Sequence, residues 1–399
     1  MADVILKEGR DKAVRNRHPW VFSGAVARFT GDTRSMQDGE IVTVCDARGR
    51  FLARGYVNRQ SQIVVRILSW DEDELIDGAF WHRRIATAIA RRSSLAADPA
   101  TTAYRLVHAE ADLLPGLIVD RYGDFVVVQC LTLGIDRRRE TIVEALQGLL
   151  SPAGIYERSD VDVRAREGLS PATGVLSGTA PPPTLEIREH DHRFLVDLTK
   201  GQKTGFYLDQ RENRQALSRY ARSQEMLNVF SYTGAFSVYA AASGAGPITN
   251  LDTSGEALAL ARTNMARNSL ERPGDTYDQG DAFQVLRGYR DRGRSFDLIV
   301  LDPPKFAPTR RHVQRATRAY KDINLLAIKL LRPGGTLFTF SCSGGIDTAL
   351  LQKIVFGASI DAGRDLQIVA YLAQGPDHPV LLSFPESAYL KGLVCRVLA

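Results

Sequence analysis

Two short segments of this sequence carry residue types suited to covalent chemistry. Asp302-Pro303-Pro304-Lys305-Phe306 follows the apolar run from Phe296, and Ser341-Cys342-Ser343-Gly344-Gly345 follows the run from Gly335 to Phe340. Two prolines after a buried strand fix the backbone and free carbonyls from the ladder, so Asp302 and nearby acceptors can be presented to a planar base. A thiol at a strand's carboxyl end, flanked by hydroxyls and glycines, is a candidate nucleophile. Cys45, Cys130 and Cys395 lie inside apolar strands instead and read as core packing. The use for such a thiol is specific. Carbon 5 of a pyrimidine is too weak a nucleophile to take a methyl group from a sulfonium, but addition of a thiolate at carbon 6 makes it enolate- or enamine-like. Methylation of a ring nitrogen or an exocyclic amine needs no cysteine, so Cys342 separates the reaction classes.

A second set of residues suits a cofactor. Met226-Leu-Asn228-Val-Phe230-Ser231-Tyr232-Thr-Gly234 reads as a strand running into a small-residue turn and a helix N-terminus, where backbone can approach a ligand. A dinucleotide fingerprint needs three glycines and only Gly234 is present, so a pyrophosphate cradle is not expected. Asp252 closes the next strand, 24 residues after Asn228, where an acidic side chain accepts from ribose hydroxyls. Asp281 follows the third strand and could accept from an adenine amino group. Either carboxylate alone reads more simply as a helix N-cap. Together they favour an adenosine-containing cofactor without a diphosphate, and S-adenosylmethionine fits that description better than NAD or ATP.

Positioning these groups requires a sheet with its strand ends on one edge. From about residue 225 strands alternate with helices. The strands end at Asn228, Asp252, about Asp278, Asp302 and Cys342, and the helices span about 234–243, 254–268, 281–289 and 320–331. That alternation predicts an α/β, doubly wound, Rossmann-like parallel sheet with ligands outside the carboxyl ends of its strands. Residues 1–72 read instead as short strands with tight turns, a small β-barrel-like unit. Residues 73–184 read as a small central α/β domain with Ser177-Gly-Thr-Ala-Pro-Pro-Pro183 as linker, and 185–399 as the catalytic domain.

The chain's length of 399 residues implies two or three domains, and no apolar run is long enough to span a membrane. The first residues lack a secretory signal and the cysteines lack paired spacing, so a reducing cytoplasm is expected, with neither disulfide frame nor metal site. Net charge is +5, and residues 1–68 hold 12 Lys+Arg against 7 Asp+Glu, a surplus equal to that of the whole chain. A basic module on a neutral body points to an anionic polymer, nucleic acid first. Because only 9 of the 51 basic residues are Lys, the charge also fits an arginine-rich composition with no partner.

Longer strings sharpen the expectation. His18-Pro-Trp-Val-Phe-Ser-Gly24, Arg105-Leu-Val-His-Ala-Glu-Ala-Asp112, Lys203-Thr-Gly-Phe-Tyr207-Leu-Asp209-Gln-Arg211, Asn228 to Gly234, Asp302 to Phe306 and Ser341 to Gly344 together resemble the RlmI-type ribosomal RNA large-subunit cytosine-C5 methyltransferases over nearly the whole chain. The resemblance implies an N-terminal PUA-like RNA-binding domain and a class I methyltransferase domain. It implies S-adenosylmethionine held by Asn228, Phe230, Ser231, Tyr232, Gly234, Asp252, Asp281, Asp302, Lys203, Tyr207 and Asp209, with Cys342 as nucleophile beside Asp302. It implies 23S rRNA as partner, free or in a subunit precursor; a homodimer stays open. Other RNA cytosine-C5 methyltransferases carry a second cysteine after the Asp-Pro pair, whereas Pro304-Lys305 stands there in this chain, so the base that removes the carbon-5 proton is unassigned. Arg15, Arg17, His18, Lys305, Arg310 and Arg311 are basic residues near functional edges that could hold phosphates, which position RNA without reading its sequence. Uracil C5 or guanine methylation and a non-catalytic RNA-binding assembly factor are the competing functions; the intact Cys342 and Asp302 disfavour the last.

Overall fold

Alternating burial organises the N-terminal strands. Ile41–Cys45 buries Val42, Val44 and Cys45 while Ile41 and Thr43 stay half-buried. The tight reversal after it is built by Asp46: its Oδ1 accepts from the backbone N–H of Arg48 (2.9 Å) and Arg50 (3.0 Å), and Gly49 takes φ +80°. In the computed structural model the described residues are 2–32, 35–306 and 313–398. They form two units: Met1–Ile187 with Val196–Leu208 and Pro376–Ser387, and Arg188–Leu195 with Asp209–Gly375 and Ala388–Ala399.

The first unit contains two sheets. Six strands lie in the spatial order Trp20–Phe22, Ile63–Ser69, Phe51–Val57, Ile41–Cys45, Asp3–Leu6, Val26–Thr30, around a core that includes Val4, Leu6, Val57, Val65 and Ile67. Five strands follow in the order Ala172–Gly178, Gly154–Ser159, Phe125–Cys130, Leu117–Tyr122, Ala103–His108. Helices Gly78–Ala90 and Arg139–Leu150 bury Phe80, Trp81, Ile85, Ile142 and Leu146 in the core of this second layer. The expected linker begins later than its composition suggested. Ser177 and Gly178 pair with Ile155 and Gly154 as the end of a strand. Gly178 is required there, because its φ is +70° and a Cβ would lie 2.3 Å from the Ala153 carbonyl oxygen.

The second unit holds the alternating segment. Its strands are β1 (Met226–Val229), β2 (Ile248–Asp252), β3 (Thr276–Gln279), β4 (Phe296–Leu301), β5 (Leu331–Ser341), β6 (Leu366–Ala373) and β7 (Lys391–Val397), in the order β3-β2-β1-β4-β5-β7-β6. Neighbours from β3 to β5 are parallel, with Asn228 facing Asn250 on one side and Val300 on the other. The strand order reverses between β1 and β4, the usual place for a ligand in such sheets. β7 is antiparallel to both β5 and β6, so the sheet is mixed at that edge rather than parallel throughout. Helices α1 (Ala235–Ala242), α2 (Gly255–Arg267), α3 (Ala282–Asp291), α4 (Val313–Leu330) and α5 (Thr348–Ala362) connect the strands. α4 starts seven residues earlier than the sequence suggested, because exposed Arg315 and Arg318 share its first turns with buried Ala316 and Tyr320. Among the described residues no helix is long and apolar enough to cross a membrane.

Candidate active site

The sheet's parallel strands deliver their last residues to one edge. After β1 the chain turns sharply: Phe230, Tyr232 and Gly234 all have positive φ, at 60°, 46° and 74°. The Ser231 N–H donates to the Leu251 carbonyl (3.0 Å) and the Gly234 N–H to the Ser231 carbonyl (2.8 Å). A Cβ at Gly234 would come within 2.8 Å of the Ala261 Cβ on α2, so only glycine lets the loop lie this close. Beneath the loop, Asn228 donates to Ser237 Oγ (2.9 Å), which donates to Asn250 Oδ1 (2.6 Å). Asn228 is thus a buried brace between β1, α1 and β2. The Ser231 and Thr233 hydroxyls are buried and lack a hydrogen-bond partner among the described residues. Leaving two such hydroxyls unpaired is costly, and their place beside a helix N-terminus fits a polar ligand at this loop.

Asp252 and Asp281 part company in the structure. Asp281 is exposed and caps α3, accepting from the Gln284 N–H at 3.0 Å. Asp252 does not cap α2; Ser254 does, accepting from Ala257. Asp252 is half-buried and accepts from the Tyr232 N–H (2.8 Å) and the Ser254 N–H (3.0 Å), one to each carboxylate oxygen. Its rotamer is fixed, each oxygen retains a lone pair, and no cation pairs with it among the described residues. A diol matches what is left. The loop, the buried hydroxyls and Asp252 therefore fit the adenosine part of S-adenosylmethionine.

Across the strand-order reversal, Asp302 follows β4 and Cys342 follows β5, both half-buried. Cys342 is the one cysteine of the four that is not buried, and none forms a disulfide. Burial raises the thiols of Cys45, Cys130 and Cys395, the last two to about 12. Two groups that sequence patterns did not single out attend Cys342. Tyr320 of α4 shares a 3.2 Å hydrogen bond with Ser343 Oγ; burial raises its phenol, and the charges of Cys342 and Asp302 add to that. Lys391 at the start of β7 donates to the carbonyl of Ser343 (2.9 Å). The Phe306 ring that ends the Asp-Pro-Pro corner packs against Tyr320, Phe283 and Phe230 at 4.9, 6.1 and 6.5 Å. It joins the loops after β1 and β4 to α3 and α4 in one aromatic cluster.

The remaining expected residues have the following surroundings. Asp209 belongs to the second unit but is buried; its Oδ2 accepts from the Tyr389 hydroxyl (2.6 Å) and its carbonyl from the Gly375 N–H (3.0 Å). Lys203 and Tyr207 belong to the first unit, where the Lys203 ammonium sits 4.3 Å from the Tyr207 ring centroid. Arg15 is paired to Asp11 (2.6 Å) and Asp46 (3.0 Å), Arg17 lies over the Trp70 ring at 5.3 Å, and His18 is 3.6 Å from Glu386. Lys305 is exposed, while Arg310 and Arg311 lie outside the described residues. No cluster suited to a metal ion occurs among the described residues.

The chain is similar to known proteins along nearly its whole length. Residues 4–70 match the PUA-like domain family and residues 144–396 the S-adenosylmethionine-dependent methyltransferase family. The ribosomal RNA large subunit methyltransferase I of Klebsiella pneumoniae (strain 342) is 48% identical over 395 residues, covering 99% of this chain and 98% of the relative. The protein of that name from Shewanella amazonensis is 50% identical over 394 residues, covering 99% of each chain. A solved chain from Streptococcus mutans assigned as a SAM-dependent methyltransferase superposes over 100% of both chains with a TM-score of 0.86 at 23% identity, which shows a shared fold. With a PUA-like module before a class I sheet and near-complete alignment at this identity, the chain belongs to the ribosomal RNA large subunit methyltransferase I family of S-adenosylmethionine-dependent methyltransferases.

Proposed function

We propose that this protein methylates carbon 5 of a cytosine in large-subunit (23S) ribosomal RNA, in the cytoplasm, with Cys342 as a transient covalent nucleophile. The single observation that carries the reading is the half-exposed thiol at the carboxyl end of β5, one strand from Asp302, while the other three cysteines are buried. Bound S-adenosylmethionine supplies a methyl group on a positively charged sulfur. Asp252 takes the ribose hydroxyls, Asp281 the adenine amino group, and the 230–234 loop with Ser231 and Thr233 the remainder. Asp302, fixed by the two prolines after it, accepts from the exocyclic amine of the target cytosine.

The Cys342 thiolate adds to carbon 6, forming a carbon–sulfur bond and placing the electron pair of the 5,6 double bond on carbon 5. After carbon 5 has taken the methyl group, it loses its proton to a base. The electrons of that bond re-form the double bond and expel the thiolate. The names of the relatives support ribosomal RNA as substrate, and the thiol supports a pyrimidine carbon as acceptor. The test is Cys342→Ala with rRNA from a strain lacking the protein. Methyl incorporation is expected to fall by on the order of 10⁴-fold or more, while cofactor affinity by calorimetry stays within about threefold. Sustained turnover in that variant would remove thiol addition, and nucleoside mass spectrometry of the wild-type product identifies base and atom.

A further inference from the structure

Lys391 is the first residue of β7 and stands opposite Ser341, the last residue of β5, in their antiparallel pairing. It is 7% exposed, an unusual setting for a lysine. Its ammonium donates to the carbonyls of Ser343 (2.9 Å) and Tyr389 (2.8 Å). Two neutral carbonyls orient the ammonium without neutralising it, and no carboxylate is bonded to it among the described residues. Burying an uncompensated cation is costly, and an apolar side chain of equal length would satisfy the β5–β7 pairing at lower cost. The residue it clasps is the immediate neighbour of Cys342.

The groups that act on Lys391 belong to the same edge. Burial is the largest influence and brings its amine down to about 8; Cys342 and Asp347 favour the ammonium, and Lys305 opposes it. Tyr320 is a further titratable group at this edge, and the charges of Cys342 and Asp302 act on it. At pH 7 Lys391 is still mainly protonated, since its midpoint lies above that value.

We propose that the Lys391 ammonium is a positioning residue that holds Cys342 as a thiolate, an inference that rests on the reading of Cys342 as nucleophile. A cation beside a thiol favours ionisation. The thiol proton passes to water, and the thiolate's electron pair forms the bond to carbon 6. At elimination that pair returns to sulfur, where the same ammonium stabilises it. The two carbonyl bonds keep the cation from swinging toward solvent between these steps.

Iodoacetamide alkylation of Cys342 as a function of pH, followed by peptide mass spectrometry on the full chain, tests this directly. In the wild type the midpoint is expected below the ~8.5 of an unperturbed thiol. In Lys391→Met, which keeps length and loses charge, it should rise by about one unit, and Lys391→Arg should restore most of the difference. Methyl transfer by Lys391→Met should fall about tenfold at pH 7 and recover toward wild type near pH 9, with cofactor affinity within about twofold. A wild-type midpoint at or above ~8.5, or an identical midpoint in Lys391→Met, overturns the proposal. The wild-type measurement stands whether or not the variant folds. Turnover by Cys342→Ala would instead refute the nucleophile, leaving the alkylation midpoints to report the ammonium–thiol coupling by themselves.

Discussion

In the first unit Arg105 grips Asp120 with two bonds (2.7 and 2.9 Å), Thr204 donates to the same carboxylate at 2.7 Å, and Tyr122 shares a 2.8 Å bond with Thr204. Arg92 does likewise to Asp112, with two bonds of 2.7 Å, and the His108 N–H adds a third at 2.7 Å. The strand ends of the second unit are finished differently. Among the described residues, Asp252 has backbone donors but no cation, Ser231 and Thr233 keep unpaired hydroxyls, and Lys391 has carbonyls but no bonded carboxylate. Buried charge is present in both units, so burial alone does not mark a site. The second unit also has a closed pair away from that edge, Arg214 with Glu189 by two bonds of 2.7 Å, so what separates the strand edge from the rest is closure. Carboxylates matched by guanidinium forks hold a fold together, whereas half-matched groups at a strand edge are left for something that arrives.

That contrast can be broken by mutation. Asp120→Asn should cost on the order of 3–5 kcal/mol of stability, because it leaves the Arg105 charge buried and unmatched. Urea unfolding measures the loss, and the specific activity of the folded fraction should be unchanged. A stable Asp120→Asn protein would mean that the network is not what secures this unit. Asp252→Asn should do the reverse, lowering cofactor affinity by about 10–100-fold with little change in unfolding midpoint; equal affinity in calorimetry would remove Asp252 from the ribose. The smallest effect concerns pH. Burial, then the charge of Arg105, hold His108 well below its usual 6.5. The folded chain therefore refuses a proton that the unfolded chain takes up. Stability is fully present above about pH 6.5 and falls as pH drops, by up to ~1.4 kcal/mol per unit for this one group. His192 in the second unit is also lowered by burial and adds its own slope. The readout is thus the difference between wild type and His108→Gln, which should be flatter between about pH 7 and 5.

Most parallel strands were legible as short apolar runs closed by a polar residue, and β2 ends on Asp252 as its sequence suggests, whereas β3, Thr-Tyr-Asp-Gln at the sheet's edge, has no such run. Cys342 and Asp302 could be read from their place after such runs. β7 was harder to see, since nothing local in Lys391–Val397 says that it enters between β5 and β6 and runs backwards. Lys391 and Tyr320 escaped notice for the same reason. Lys391 reaches Ser343 across 48 residues of chain and Tyr320 across 23, by strand register and helix packing rather than by motif. Asn228 shows a role that no local pattern announces: its amide braces Ser237 beneath the loop.

Asp209 holds Gly375, just before the segment Pro376–Ser387, and Tyr389, two residues after it, through its own carbonyl and carboxylate. A clasp at the neck of a loop isolates what lies beyond it from what lies before. Residues 376–387 can therefore move or be exchanged without shifting the register in which the strand resumes at Lys391, opposite Ser341.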